Sequence, residues 1–104
     1  MRRFAFAALA CFAVSGCAST QDVLSREPSQ VLTSDKSYID VAACIGDLNN
    51  MPVQERSDGS RVIAVKAMAG NVGAVYTVKP NGSGAIIELR QPGMMDVSKY
   101  KRCL

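Results

Sequence analysis

The residues best equipped for covalent chemistry in this 104-residue chain are its four cysteines, Cys11, Cys17, Cys44 and Cys103. A thiol can serve as a nucleophile, a metal ligand, a carrier of lipid or half of a disulfide. The first use needs a partner base, and the chain contains no His. That absence removes Ser-His and Cys-His catalysis together with the commonest metal ligand, and it leaves a zinc site short of its usual donors. No two of the cysteines form a CxxC, the spacing that tunes a reactive dithiol.

The nine acidic residues offer no stronger lead. Asp40 and Asp47 lie seven apart, Glu55 and Asp58 flank a turn signal, and Glu88 sits inside a strand-like run. A carboxylate pair for glycoside hydrolysis would have to be assembled by the fold, and scattered acids are by default a solvated face. The stretches GDLNNM and SDGS lack the alternating acids of a calcium loop. MAGNVGAV lacks the third glycine of a nucleotide fingerprint, so Gly70-Asn71 reads as a turn. Met94 and Met95, beside Pro92-Gly93, read as core filling, with a partner-binding or copper-sensing patch as the sharper alternative. Tyr38, Tyr76 and Tyr100 read as half-buried rings with solvated hydroxyls. The expectation is a protein that is not an enzyme and that carries neither cofactor nor metal.

The elements that position these residues begin with a segment built for export. Arg2 and Arg3 precede an uncharged run over residues 4–14, the length of a signal-peptide core and well short of the roughly 20 apolar residues of a membrane span. The run closes on Val14-Ser15-Gly16-Cys17, which resembles the lipobox of bacterial lipoproteins: an aliphatic residue, two small ones and an obligatory Cys. The resemblance implies that residues 1–16 are a signal peptide, that the Cys17 thiol is diacylated with chains such as palmitate, and that the new amino group is usually acylated too. The alternative is an ordinary signal cut after Ala18, with Gly16 and Ala18 as the small residues. Two or three chains hold a protein on a membrane essentially permanently, at about 0.8 kcal/mol per buried methylene, where one holds it marginally. By the same resemblance, Ala18 in place of an inner-membrane retention Asp implies the outer membrane, with the domain on the periplasmic face or exposed at the surface.

Residues 17–33 then read as the lipidated Cys and a flexible tether, rich in Ser, Thr and Gln and without a sustained period. Residues 18–33 could reach roughly 50 Å at about 3.3 Å per residue. A short edge strand over 30–33 is compatible with that reading, since Val31, Leu32 and Thr33 are β-friendly. The spacing of Val41, Cys44, Ile45 and Leu48 predicts a helix over 38–49 with Cys44 facing inward, and Ser37 with Asp40 resembles a capping box. Alternating runs over 61–67, 73–79 and 85–90 predict strands, separated by turn residues at 57–60 and 80–84, with a short partner strand over 53–56. Val97, Tyr100 and Leu104 fit a short terminal helix. Over residues 34–104 the expected class is α+β: an antiparallel meander of three to five strands in the order β-α-β-β-β-(β)-α, its N-terminal helix and short C-terminal helix packed on one face.

Loss of Arg2 and Arg3 would leave ten basic residues against nine acidic, with no basic run of five or more, so nucleic acid is not an expected partner. With Cys11 leaving in the signal and Cys17 acylated, Cys44 and Cys103 are the only thiols left in an exported chain, and such a pair is most simply a disulfide. Ser37-Tyr-Ile-Asp-Val-Ala-Ala-Cys44-Ile45 and the terminal Lys101-Arg-Cys103-Leu104 also resemble the layout of small Gram-negative lipoproteins, in which an anchor precedes a small α+β domain. That resemblance implies location and fold far more than activity. The expected function is a lipid-anchored binding module whose partner, beyond the membrane, is another envelope protein or a cell-wall glycan. The alternative is an inhibitor or immunity-type protein that blocks a periplasmic or cell-wall-degrading enzyme, and a protruding rigid loop at 81–84 would favour it.

Overall fold

The structure, a computed structural model, describes residues 19–67, 70–92 and 98–104. The signal segment, Cys17, Met94, Met95 and Val97 lie outside the described residues. Five strands, β1 (Gln30–Ser34), β2 (Gln54–Glu55), β3 (Arg61–Lys66), β4 (Val72–Asn81) and β5 (Gly84–Arg90), form one antiparallel sheet in the order β1-β5-β4-β3-β2. The α+β class is therefore as expected, at the upper end of the strand count. Strands β2 to β5 form a meander, and β1, first in the chain, closes the far edge against β5.

A first helix, α1, covers Thr20–Leu24, a second, α2, covers Tyr38–Asn49, and a 3-10 helix covers Ser98–Cys103. The ends of α2 follow from its capping residues. The Asp40 amide donates to Ser37 Oγ at 3.2 Å, and the helix stops at Asn50, whose left-handed φ of 52° is one that Asn tolerates. The buried stripe is Val41, Ala42, Ile45 and Gly46. Leu48, expected on the inward face, is instead 36% exposed. The stripe is turned toward Gly46 because the chain leaving the helix presses there: a Cβ on Gly46 would stand 2.9 Å from both Met51 O and Val53 Cγ2.

The first face of the sheet carries the main core, in which Ile63 and Val65 of β3, Ala74, Tyr76 and Val78 of β4, and Ile87 and Leu89 of β5 pack under α2 and the 3-10 helix. Cys44 and Cys103 are bonded, with their Cα atoms 5.7 Å apart, and so tie α2 to the chain's last turn. Tyr76 and Tyr100 meet at 5.3 Å between ring centroids. Both are 1% exposed, which corrects the half-buried reading for these two rings. The Tyr100 hydroxyl donates to Gln30 Oε1 at 2.7 Å, a bond that fastens β1 to the C-terminal helix.

The second face also has a cover, and here the structure departs from the sequence reading. Residues 73–78 of β4 are all buried. On the second face Val75 and Val62 are closed over by Val23 of α1, which is fully buried. Helix α1 has its own cap, the Asp22 amide donating to Ser19 Oγ at 3.2 Å. The chain after it stays attached: Arg90 Nε donates to Arg26 O, and the Ser29 amide to Leu89 O, each at 2.7 Å. Residues 20–24 and 30–34 thus belong to the folded unit rather than to a flexible tether, so that unit begins before residue 34; α2 and the 3-10 helix share one face as expected, and α1 is a further helix on the other. Burial of one valine in a two-sided strand outweighs the polar composition of the segment.

Two outcomes follow from this packing. Reduction of the bridge, which joins residues 59 apart, should lower the unfolding free energy by about 4 kcal/mol on the chain-entropy model, read as a drop in urea midpoint. Val23→Ala removes two methyl groups and should cost about 1.5 kcal/mol, with faster amide exchange over residues 20–26 and none of that acceleration in α2.

Candidate functional site

The register of the sheet decides which side chains share the second face. Thr77 of β4 lies opposite Val62 of β3 on one side and Glu88 of β5 on the other. The alternation then puts Lys79 two residues along from Thr77, and Val75 and Arg90 toward the other end. Helix α1 covers the diagonal pair Val62 and Val75 of this face. Beyond Leu24 the face opens into a shallow pocket of about 330 Å³, lined by Leu24 and Val62 and otherwise by polar and charged side chains.

Three cations and two carboxylates stand around it: Arg56, Lys79, Arg90, Asp58 and Glu88. Glu88 is the hub. Its carboxylate accepts from Arg90 NH1 at 3.1 Å and from Lys79 Nζ at 3.2 Å, the latter a diagonal cross-strand pair. Burial pushes its pKa up, but the hydrogen bonds and charges of Arg90 and Lys79 outweigh that and hold it below the ordinary 4.5. Arg90 is fixed in turn by its bond to the Arg26 carbonyl.

The second carboxylate belongs to the turn between β2 and β3. Residues 57–59 form a three-residue turn closed by the Arg56 amide on Ser60 O at 2.9 Å, with Gly59 at φ +90°, where a side chain would be strained. Asp58 Oδ1 accepts from the Ser60 hydroxyl at 2.6 Å and from the Ser60 amide at 2.9 Å. The hydroxyl bond first, and the amide bond second, hold its pKa below the ordinary 3.8. Both carboxylates are therefore committed to donors of the protein.

The donors toward the pocket are not all committed. Arg56 Nε and Thr77 Oγ1 are buried and have no hydrogen-bond partner among the described residues. Thr77 is only 6% exposed. Leaving such a group unpaired costs about 1–3 kcal/mol, so each marks a place where the fold gives up stability. What the arrangement offers an incoming group is hydrogen-bond donors, those of Arg56 and Thr77.

Of the residues singled out from the sequence, Asp58 and Glu88 stand at the pocket rather than on a solvated face, and the others lie elsewhere. Cys44 and Cys103 come together as the disulfide. Asp40 and Asp47 are exposed on α2 beside a shallow hollow that also touches Ala43, Cys44 and Leu48. Glu55 pairs with Arg61 at 3.0 Å, and the Arg61 guanidinium lies 5.7 Å from the centroid of the Tyr38 ring. The 81–84 stretch is a two-residue turn that continues the β4–β5 ladder, with Asn81 paired to Gly84, and it is no long loop. Sequence reasoning named neither Arg56, Thr77 nor Lys79 as a site. A signal was present: counting out from that turn puts Lys79, Thr77, Glu88 and Arg90 on one face.

Among the described residues no helix is long and apolar enough to cross a membrane. No protein-family model, curated protein or solved structure matches the chain.

One outcome tests the hub. The Glu88 pKa is lowered in the folded state, so the stability from its charge is full above about pH 4.5 and is lost as pH falls through the lower folded-state value. Glu88→Gln should therefore unfold at lower urea than wild type at neutral pH, and the gap should close as the pH falls below about 4.5 and Glu88 is protonated in the folded state as well.

Proposed function

We propose that the chain is a non-enzymatic lipoprotein of the cell envelope, anchored in the outer membrane by acylated Cys17 with its domain in the periplasm, and that it binds another envelope component through the open half of the second sheet face. The observation that carries this reading is the Cys44–Cys103 disulfide. A bond between the two thiols that would survive processing is what an oxidising compartment produces, and it leaves Cys17 for acylation once Cys11 departs with the signal.

The open face supports a binding role of a particular kind. It presents guanidinium, ammonium and hydroxyl donors rather than an apolar or aromatic patch, so it suits a charged or hydrogen-bonding partner. With no His in the chain and both carboxylates of the pocket held by protein donors, binding rather than turnover is the use that fits.

The anchor is tested by fractionation. Wild-type protein should pellet with outer membranes, resist high salt and be released by detergent, with an intact mass that starts at Cys17 and includes acyl chains. Cys17→Ala should appear in the soluble fraction. A Cys17→Ala protein that stays detergent-dependent in the pellet would contradict the anchor.

A further inference from the structure

Resting on the anchored reading above, the geometry points to a narrower assignment: the pocket is a phosphodiester site that takes the headgroup phosphate of a phospholipid in the same leaflet as the anchor, with Arg56 and Thr77 as donors and Lys79 beside them. Three observations lead there.

The first is the set of unspent donors. Arg56 Nε and the Thr77 hydroxyl are buried without partners, and both residues line the pocket. Lys79 spends one contact on Glu88 while its side chain stays 44% exposed. An oxyanion is the ligand that accepts from all three, and hydrogen bonds to it would be charge-assisted and short.

The second is charge. Lys79 and Arg90 neutralise Glu88 between them, and Asp58 is turned onto Ser60. Three cations against two carboxylates leave the pocket one positive charge in excess. A phosphodiester carries one negative charge at neutral pH, whereas a terminal phosphate carries nearer two.

The third is reach. Leu24, at the pocket wall, is the last residue of α1. Five helical residues rise about 7.5 Å, and the three residues from Ser19 back to Cys17 span at most about 10 Å. The pocket therefore lies within about 17 Å of chain from the acylated residue, and headgroups occupy the outer 5 to 7 Å or so of each leaflet. Because α1 is packed on the second face, that face is the part of the domain closest to the anchor. A carboxylate on a wall peptide matches the charge but gains nothing from this placement.

The test is a titration followed by proton–nitrogen NMR at the Arg56 Nε–H and, for the Arg56 variants, at the backbone amides of Thr77 and Lys79, on the mature protein in a nonionic detergent micelle. The probes are glycerophosphoglycerol, a soluble headgroup diester, and, in parallel, inorganic phosphate and N-acetylalanine. Phosphatidylglycerol nanodiscs supply the same diester in a membrane. The diester should give a saturable shift, bind more tightly than either other probe, and be reproduced by the nanodisc. Arg56→Gln should weaken it about tenfold or more, the loss of one charge-assisted hydrogen bond, and Arg56→Lys should restore part. Thr77→Val should weaken binding as well, yet leave the urea midpoint unchanged or raised, since it replaces an unpaired buried hydroxyl with a methyl of the same shape. A response led by inorganic phosphate or N-acetylalanine, a nanodisc that leaves Arg56 unmoved, or no saturable shift overturns the assignment. The soluble arms need no acyl chain, and the intact mass of the same sample reads the anchor separately, so failure of the pocket and failure of the anchor are distinct results.

Discussion

The structure depends on one constraint: β4 is buried on both faces. A strand whose residues are enclosed from 73 to 78 must be covered above and below, and a chain of this size has little with which to do it. The first face receives the long helix α2, the 3-10 helix and the disulfide between them. Among the described residues the second receives α1, five residues long, which is too short to hold itself as a helix and exists because Val23 fills the gap over Val62 and Val75. Covering that face commits residues 20–24 to the fold.

The incompleteness of that cover produces the site. Helix α1 closes over Val62 and Val75 and stops at Leu24, beyond which the face between Thr77, Lys79 and Glu88 is a shallow pocket. There the sheet substitutes polar residues for a roof. Glu88 organises two cations, Ser60 restrains Asp58, and Arg56 and Thr77 are left with donors that nothing in the described protein accepts. A fold selected for stability alone would place valine at 77. A hydroxyl kept there, buried and unpaired, is the kind of local conflict that accompanies a binding role.

Much of this was legible in the residues. Alternation set β3, β4 and β5, and the capping pair Ser37 and Asp40 with the apolar period behind it set α2 to the residue. The pairing of Cys44 with Cys103 followed from counting thiols. Helix α1 was not read, although Ser19 and Asp22 repeat the spacing of Ser37 and Asp40. Five residues are too few for a period, and only contact with a distant strand decides that Val23 is inside. The same limit applies to the pocket, whose members come from positions 24, 56, 77, 79 and 88 and meet only through strand register. One clue lay in β4 itself: Val75 is apolar within the set that alternates with Ala74, Tyr76 and Val78, so the strand has an apolar residue on each face.

If Cys17 carries acyl chains as proposed, the packing of α1 close after it holds the domain on the membrane. Neutron reflectometry of the acylated protein in a supported bilayer measures this directly. Protein density should begin at the headgroup layer with no hydrated gap. A separate protein layer standing several tens of ångströms above the headgroups, approaching the roughly 50 Å that a free 16-residue tether would allow, would contradict it.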